Sequence, residues 1–327
     1  MTEQPSIVAI GGGGGATQVL RAVAAWSDRR TAVIAVTDTG RSTGLARTIG
    51  AIPAPGDVRA TIAAFAHNQA LAELLQYRFD GAGIPQLEGM AFGNLLIAAL
   101  AQVRGDFGVA VAEVAQLVES SVRILPVSLA NTHLCAELAD GSHVVGELAV
   151  RGLAKPPIAR LYLRDPAPAN PAVLAAIRAA DLVVIGPGSL FTTVLANLLF
   201  AGLREALREA VGTVVFIGNS TTQPGQTDGY RVVDHVQRVV ELLGPGVVDV
   251  ALLNSSRPAP ERLAPYAAEG LHFLTVDPAE VAAIEALGVR VVLRALSETV
   301  GEKRVIWNKQ DTIHYDPLVL GSALRDL

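Results

Sequence analysis

Five consecutive glycines, Gly11, Gly12, Gly13, Gly14 and Gly15, stand between an apolar β-type run, Ile7-Val8-Ala9-Ile10, and a helix-like stretch over 16–25. Lacking side chains, such a turn lets backbone N–H groups approach an anion at the start of a helix. A tight turn alone needs one or two glycines, so the run points to phosphate or nucleotide contact. It closes as Gly15-Ala16-Thr17 without a lysine, which disfavours Walker-type phosphate transfer. Gly11, Gly13 and Ala16 do satisfy G-x-G-x-x-A, and Asp38 ends the second predicted strand, where dinucleotide folds carry a ribose carboxylate. An NAD(P)-binding oxidoreductase therefore stays open, although no paired Lys/Tyr or His/Asp constellation accompanies the loop.

Three more glycine- and hydroxyl-rich stretches follow predicted strands. They are Thr37 to Gly44, with Arg41, Ser42 and Thr43; Gly186-Pro187-Gly188-Ser189, leading to Thr192; and Asn219 to Gly225, with Thr222 and Gln223. Ser189 lacks the G-x-S-x-G spacing of a nucleophile elbow, so a phosphate-binding hydroxyl suits it better. Asn219, Thr222 and Gln223 carry amides and hydroxyls suited to a ribose, base or sugar, or else they shape the turn at Pro224-Gly225. Asp38 and Asp57 are oxygen ligands suited to Mg²⁺; equally, Asp38 fits a ribose hydroxyl and Asp57 fits the N-cap of a helix from Val58. The six histidines show no H-x-H or H-x-x-x-H pair, and His235, beside Asp234, is the one placed to donate a proton or touch phosphate if it is not simply structural. Cys135, the single cysteine, excludes an internal disulfide and reads as a small buried hydrophobe.

The elements that must position these residues alternate in period. Strand-like runs fall at 6–10, 31–36, 181–185, 213–218, 247–253 and 272–276, between helical stretches such as 171–179, 193–210 and 231–243. This predicts an α/β fold, a Rossmann-like parallel sheet with helices on both faces, formed as a single domain over 1–327. A helical insertion lobe is expected over 58–120, from helices at 58–76, 92–103 and 107–119, followed by a β-hairpin turning at Asp140-Gly141. In an open parallel sheet all four loops lie at the carboxyl edge and should line one cleft. With 327 residues, half of them hydrophobic, the chain can bury a large core. A formal charge of −5 and no clustered basic residues argue against nucleic acid as a partner. No apolar span of membrane length and no leader pattern are read, making the cytoplasm the expected location. The apolar segment Pro317–Leu327 is the expected contact of a homodimer.

Six motifs in order carry a resemblance: the glycine run, Asp38-Thr39-Gly40-Arg41-Ser42-Thr43-Gly44, Pro55-Gly56-Asp57-Val58-Arg59, Phe92-Gly93-Asn94, Gly186 to Thr192, and Thr222-Gln223-Pro224-Gly225-Gln226-Thr227. Together they resemble the gluconeogenesis-factor branch of the YvcK/CofD superfamily, from residue 6 to about 255, with a weaker echo at His314-Tyr315-Asp316-Pro317. The resemblance implies a cleft for a nucleoside diphosphate, a UDP-sugar in this branch, serving regulation of carbon use, cell-wall synthesis and cell shape. In the CofD branch it implies a transferase that uses a guanylyl (GDP-type) donor and a divalent metal such as Mg²⁺. It also assigns ligand contact to Asn94 and to Gly11–Gly15, Thr17, Asp38, Ser42, Thr43, Gly186, Pro187, Gly188 and Ser189. Arg41 and Thr39 stand where the family commonly has a glycine and a second aspartate, a change that strengthens phosphate attraction and weakens metal binding; Met90 stands where it commonly has a histidine, so any ligand contact by that histidine is missing here.

Overall fold

Ten strands occur among the residues described by the computed structural model, 4–81, 83–298 and 314–327. They are β1 (Ile7–Gly11), β2 (Arg30–Ile34), β3 (Arg123–Pro126), β4 (Leu134–Leu138), β5 (His143–Val145), β6 (Ile158–Leu163), β7 (Leu182–Ile185), β8 (Thr213–Ile217), β9 (Val250–Asn254) and β10 (Arg290–Arg294). β1, β7 and β9 are buried at every residue, as parallel strands covered on both faces must be. Seven strands form one parallel sheet in the order β10-β9-β8-β7-β1-β2-β3. The edge strand β10 begins and ends in exposed arginines, which discourage further strand addition. β4, β5 and β6 form a separate antiparallel sheet, whose hairpin turns at Asp140-Gly141 with Gly141 at φ 81°.

Helices surround the large sheet. α1 (Gly13–Ala22) follows β1, and five helices connect β2 to β3: α2 (Arg41–Gly50), α3 (Gly56–Ala64), α4 (Gln69–Gln76), α5 (Phe92–Arg104) and α6 (Phe107–Leu117). α3 packs on α1, and α5 packs on α2 and α6, so Ile62, Ile97, Val111 and Val114 join one hydrophobic core with β1 and β2. The C-terminal helix Pro317–Arg325 lies on α1 so closely that a Cβ on Gly321 would sit 2.2 Å from the Ala22 carbonyl oxygen. Its Leu320, Ala323 and Leu324 are thereby spent within the chain, leaving Leu318 outward. Among the described residues no helix is long and apolar enough to cross a membrane.

Several sequence expectations are corrected. The helix expected over 58–76 breaks at 65–68, where Asn68 starts α4 by accepting a bond from the Leu71 N–H. The stretch expected as one helix over 193–210 is a π-helical turn, Leu190–Leu195, then two short helices separated by Gly202 in the left-handed region. Residues 272–276 form no strand; they return to the Asn219–Gly225 loop, pairing Thr221 with Phe273. β3, β6 and β10 escaped notice because two are edge strands of the parallel sheet, and β6 is half exposed. The second half of the second glycine-rich stretch is helix, since α2 starts at Arg41.

Candidate functional site

Strand order reverses at β1: the chain runs outward through β2 and β3, then returns to β1's other side with β7 and proceeds to β10. Loops leaving β1 and β7 therefore diverge, opening a hollow of about 250 Å³ at their carboxyl ends. Gly12 to Gly15, Pro187 to Ser189 and Gln223 line it, so three of the four predicted loops meet there. α1 opens into it with Gly12 at the N-cap and no acid of its own in the first turn; Asp57, from α3, takes the Gly13 amide, which leaves those of Gly14 and Gly15 for a ligand. Three of the glycines answer to packing. A Cβ on Gly12 would lie 2.8 Å from Asp57 Oδ2, one on Gly13 3.2 Å from Asp57 Oδ1, and one on Gly15 1.9 Å from the Pro187 oxygen. Gly14 has open space around it.

Asp57 does not cap α3, as the sequence allowed. Pro55 occupies the N-cap, and Asp57, second residue of the helix and in its first turn, accepts a hydrogen bond from the Gly13 N–H. Burial, then the neighbouring Asp38, pushes its carboxyl from 3.8 up to about 6. Asp38 does not line the hollow; its Oδ1 accepts the Gly40 N–H at 2.8 Å, and it lies beside Gly56 and Asp57. Sequence reasoning missed a third acid, Glu147, on the short helix Glu147–Val150 after the hairpin. It is 5% exposed, and burial lifts its carboxyl to about 7, with Asp38 and Asp57 adding to the rise and Arg151 opposing it. No local motif marks it, because only the hairpin brings it to the acids.

These shifts have a defined sign. Both folded carboxyls hold protons more tightly than unfolded ones, so their stabilisation is complete below about pH 4 and is lost as pH rises through about 6 and 7. Asp57 alone accounts for about 3 kcal/mol across that window. Urea unfolding of the ligand-free protein should give a lower stability at about pH 8 than at about pH 5, and Asp57→Asn should reduce the difference without abolishing it, since Glu147 keeps its own raised carboxyl. A wild-type curve level over this range would show that the acids are not held as described.

The other predicted residues divide into two groups. Ser189 lines the hollow and donates to Gln226 Oε1 (3.0 Å) while accepting from the Thr192 hydroxyl (2.8 Å). Asn219 ties two loops together by donating to the Gly188 oxygen at 2.7 Å, and its Oδ1, like Gln223 Oε1, is buried without a partner. Thr17 Oγ1 is similarly unpartnered, one turn into α1. Thr222 faces away, accepting the His272 N–H. Ser42 and Asn94 sit behind α3 in a buried network: Arg59 donates to Asn94 Oδ1 (3.0 Å), and Asn94 Nδ2 donates to the Ser42 hydroxyl (2.9 Å). Thr43 packs against Gly56. Arg41 is the first residue of α2, and its side chain lies outside the described part. His235 is core, with Nδ1 paired to the Arg231 oxygen at 2.9 Å. Gln18, Thr193 and His314 also line the hollow, unforeseen as contacts; Gln18 Nε2 and His314 Nδ1 are 3.4 Å apart.

Among the described residues no trio of His, Cys, Asp or Glu is placed to hold a metal by itself. Asp38 and Asp57 offer two hard oxygen donors, which is how Mg²⁺ is usually held when phosphates and waters complete its shell. The carboxylates thus fit an ion that arrives with a phosphate ligand.

A sequence profile of the family described as 2-phospho-L-lactate transferase CofD matches residues 7–297. The gluconeogenesis factor of Bacillus subtilis is 34% identical over 332 residues, covering all of this chain and 99% of the relative. That of Halalkalibacterium halodurans is 36% identical over 293 residues, 89% of either chain. A crystal structure of a UPF0052-family protein from Bacillus halodurans superposes with a TM-score of 0.89 at 32% identity, covering 99% of this chain and all of the other.

Proposed function

The chain belongs to the CofD family, in its gluconeogenesis-factor branch, and from that premise we propose that its hollow binds the diphosphate of a nucleoside-diphosphate ligand, a UDP-sugar, with a regulatory output. One observation carries the reading: the Gly14 and Gly15 amides in the first turn of α1, next to the Gly13 amide that Asp57 takes, lie beside the Gly186–Ser189 loop at the point where strand order reverses. A helix terminus supplies about 0.3–2 kcal/mol towards an anion, whereas micromolar binding needs about 8 kcal/mol. Several loops, or a metal, must contribute. A diphosphate entering beside Asp57 and Asp38 meets like charge, which Mg²⁺ held by those carboxylates would neutralise.

At about 250 Å³ the hollow is smaller than the roughly 300–1,000 Å³ of whole-ligand sites, so it suits the diphosphate, with the two ends of the ligand along its rim. Gln18, Gln223 and His314 offer amide and imidazole groups to a base, and the acids flank the other end. The protein would act in the cytoplasm on carbon metabolism and cell-wall synthesis; Leu318, outward on the last helix, is the residue we assign to self-association. The Asp38–Asp57 pair favours one second reading, CofD-type transfer from a guanylyl donor, because that chemistry also uses a divalent ion.

Thermal unfolding with UDP-GlcNAc, GDP and NAD, each with and without Mg²⁺, separates these readings, since a ligand of the folded state raises Tm with ln(1 + [L]/Kd). A shift with UDP-GlcNAc that grows with Mg²⁺ is expected. Stabilisation by GDP and Mg²⁺ alone would favour the transferase, and by NAD alone the oxidoreductase.

A further inference from the structure

Thr193 stands in the wall of the hollow, although the sequence points to its neighbour Thr192. The backbone explains the exchange. The Ser189 oxygen accepts both the Thr193 N–H (3.0 Å) and the Val194 N–H (2.9 Å), so the chain widens into a π turn over Leu190–Leu195. Asn197, fully buried, pins the widened turn to the first loop: its Nδ2 donates to the Thr193 oxygen at 2.9 Å and to the Gly11 oxygen at 3.2 Å. Single π turns are rare and gather at functional sites.

The two threonines thereby take different tasks. Thr192 is 6% exposed, and its hydroxyl is spent on Ser189. Thr193 is half-buried, and among the described residues its hydroxyl has no hydrogen-bond partner. Its methyl approaches the backbone of both ligand loops: a Cβ on Gly12 would lie 3.1 Å, and one on Gly188 3.3 Å, from Thr193 Cγ2. A β-branched side chain is stiff at χ1, so the wedged methyl fixes the hydroxyl as well. The same point over Gly12 lies 3.6 Å from Thr193 Oγ1 and 2.8 Å from Asp57 Oδ2, which sets a neutral donor across the glycine loop from the acid.

We propose that Thr193 is a phosphate-binding residue: its hydroxyl donates to an oxygen of the diphosphate, and the π turn is what presents it to the hollow in place of Thr192. The inference rests on the nucleoside-diphosphate reading of the hollow. A hydroxyl bonded to an ionised oxygen makes a charge-assisted hydrogen bond, about twice as strong as a neutral one. Such a bond needs no cation, so its contribution is the same with and without Mg²⁺.

Titration calorimetry of UDP and UDP-GlcNAc, each in Mg²⁺ and in a chelator, reads the contact. Thr193→Val keeps both branches of the side chain and removes only the donor. Its affinity should fall by about 10- to 100-fold, by one factor for both ligands and in both conditions. Thr193→Ser, which keeps the donor, should recover most of that loss, to within about threefold of wild type. Both ligand-free variants should melt close to wild type, which separates the lost contact from a damaged fold. Unchanged affinity in Thr193→Val would overturn the inference and leave the diphosphate site standing. So would a loss confined to UDP-GlcNAc, which marks a sugar contact, a loss confined to Mg²⁺, which marks a cation ligand, or one that serine does not restore, which marks packing by the methyl. Wild type that binds neither nucleotide would overturn the diphosphate reading and this inference with it.

Discussion

Asp57→Asn should reverse the dependence of nucleotide binding on Mg²⁺. In the wild type, a partly buried carboxyl that lines the hollow faces Gly12 and Gly13 and is coupled to Asp38, so the glycine loop and the acid pair form one electrostatic unit. Without a cation this unit repels a diphosphate; with one it grips the cation that the diphosphate carries. The asparagine keeps an acceptor for the Gly13 N–H and leaves α3 intact, because the residue is not its cap. With Mg²⁺, affinity for UDP-GlcNAc should fall by about 100-fold, the scale on which losses at a metal site are felt. Without Mg²⁺ the variant should bind about tenfold more tightly than wild type, since one charge has gone. Titrations of both proteins in Mg²⁺ and in a chelator make the comparison. A variant weakened equally in both conditions would refute a cation at the acid pair.

The second large effect lies in the contact that holds two loops together. Gly15→Ala would place a methyl 1.9 Å from the Pro187 oxygen, a distance no side chain tolerates, so the loops after β1 and β7 must separate. Stability should fall by about 1–3 kcal/mol, as in other overpacked sites. Ligand affinity should drop at least about tenfold, because amides and loop then no longer converge on one anion. Gly14→Ala is the matched control. Its Cβ meets nothing within 4 Å, and alanine favours the helix by up to about 1 kcal/mol, so its urea midpoint should hold or rise. If Gly15→Ala melts and binds like the control, the two loops do not form a common site.

The pair also shows how the glycine run should be read. Five glycines were expected to serve an anion, yet Gly12, Gly13 and Gly15 are small because Asp57 and Pro187 come within contact distance. Both uses coincide, since what lets a ligand approach a backbone also lets the chain's own carboxylate and carbonyl approach it. Similarly, Asn94 and Ser42 stood in recognisable motifs, and in the fold they bond each other and, through Asn94, the Arg59 side chain of α3. A motif preserves residue types without saying which face of an element they take.

Local sequence determined the inner strands of the sheet and the edge at which their glycine-rich loops emerge. Continuous apolar β-branched runs such as Val8-Ala9-Ile10 and Val183-Val184-Ile185 can only be covered on both faces, and glycine after each has a backbone reason. It also determined the hairpin, through Asp140-Gly141. Edge strands, the break between α3 and α4, and the π-helical turn were left to packing, which overrides weak local preference. Strand order decided that the first and third loops face each other, a relation between residues more than 170 positions apart. Only the folded chain could bring Glu147 and His314 to the same hollow's surroundings as Gly13, because charge coupling and burial depend on distance in space, which sequence spacing does not encode.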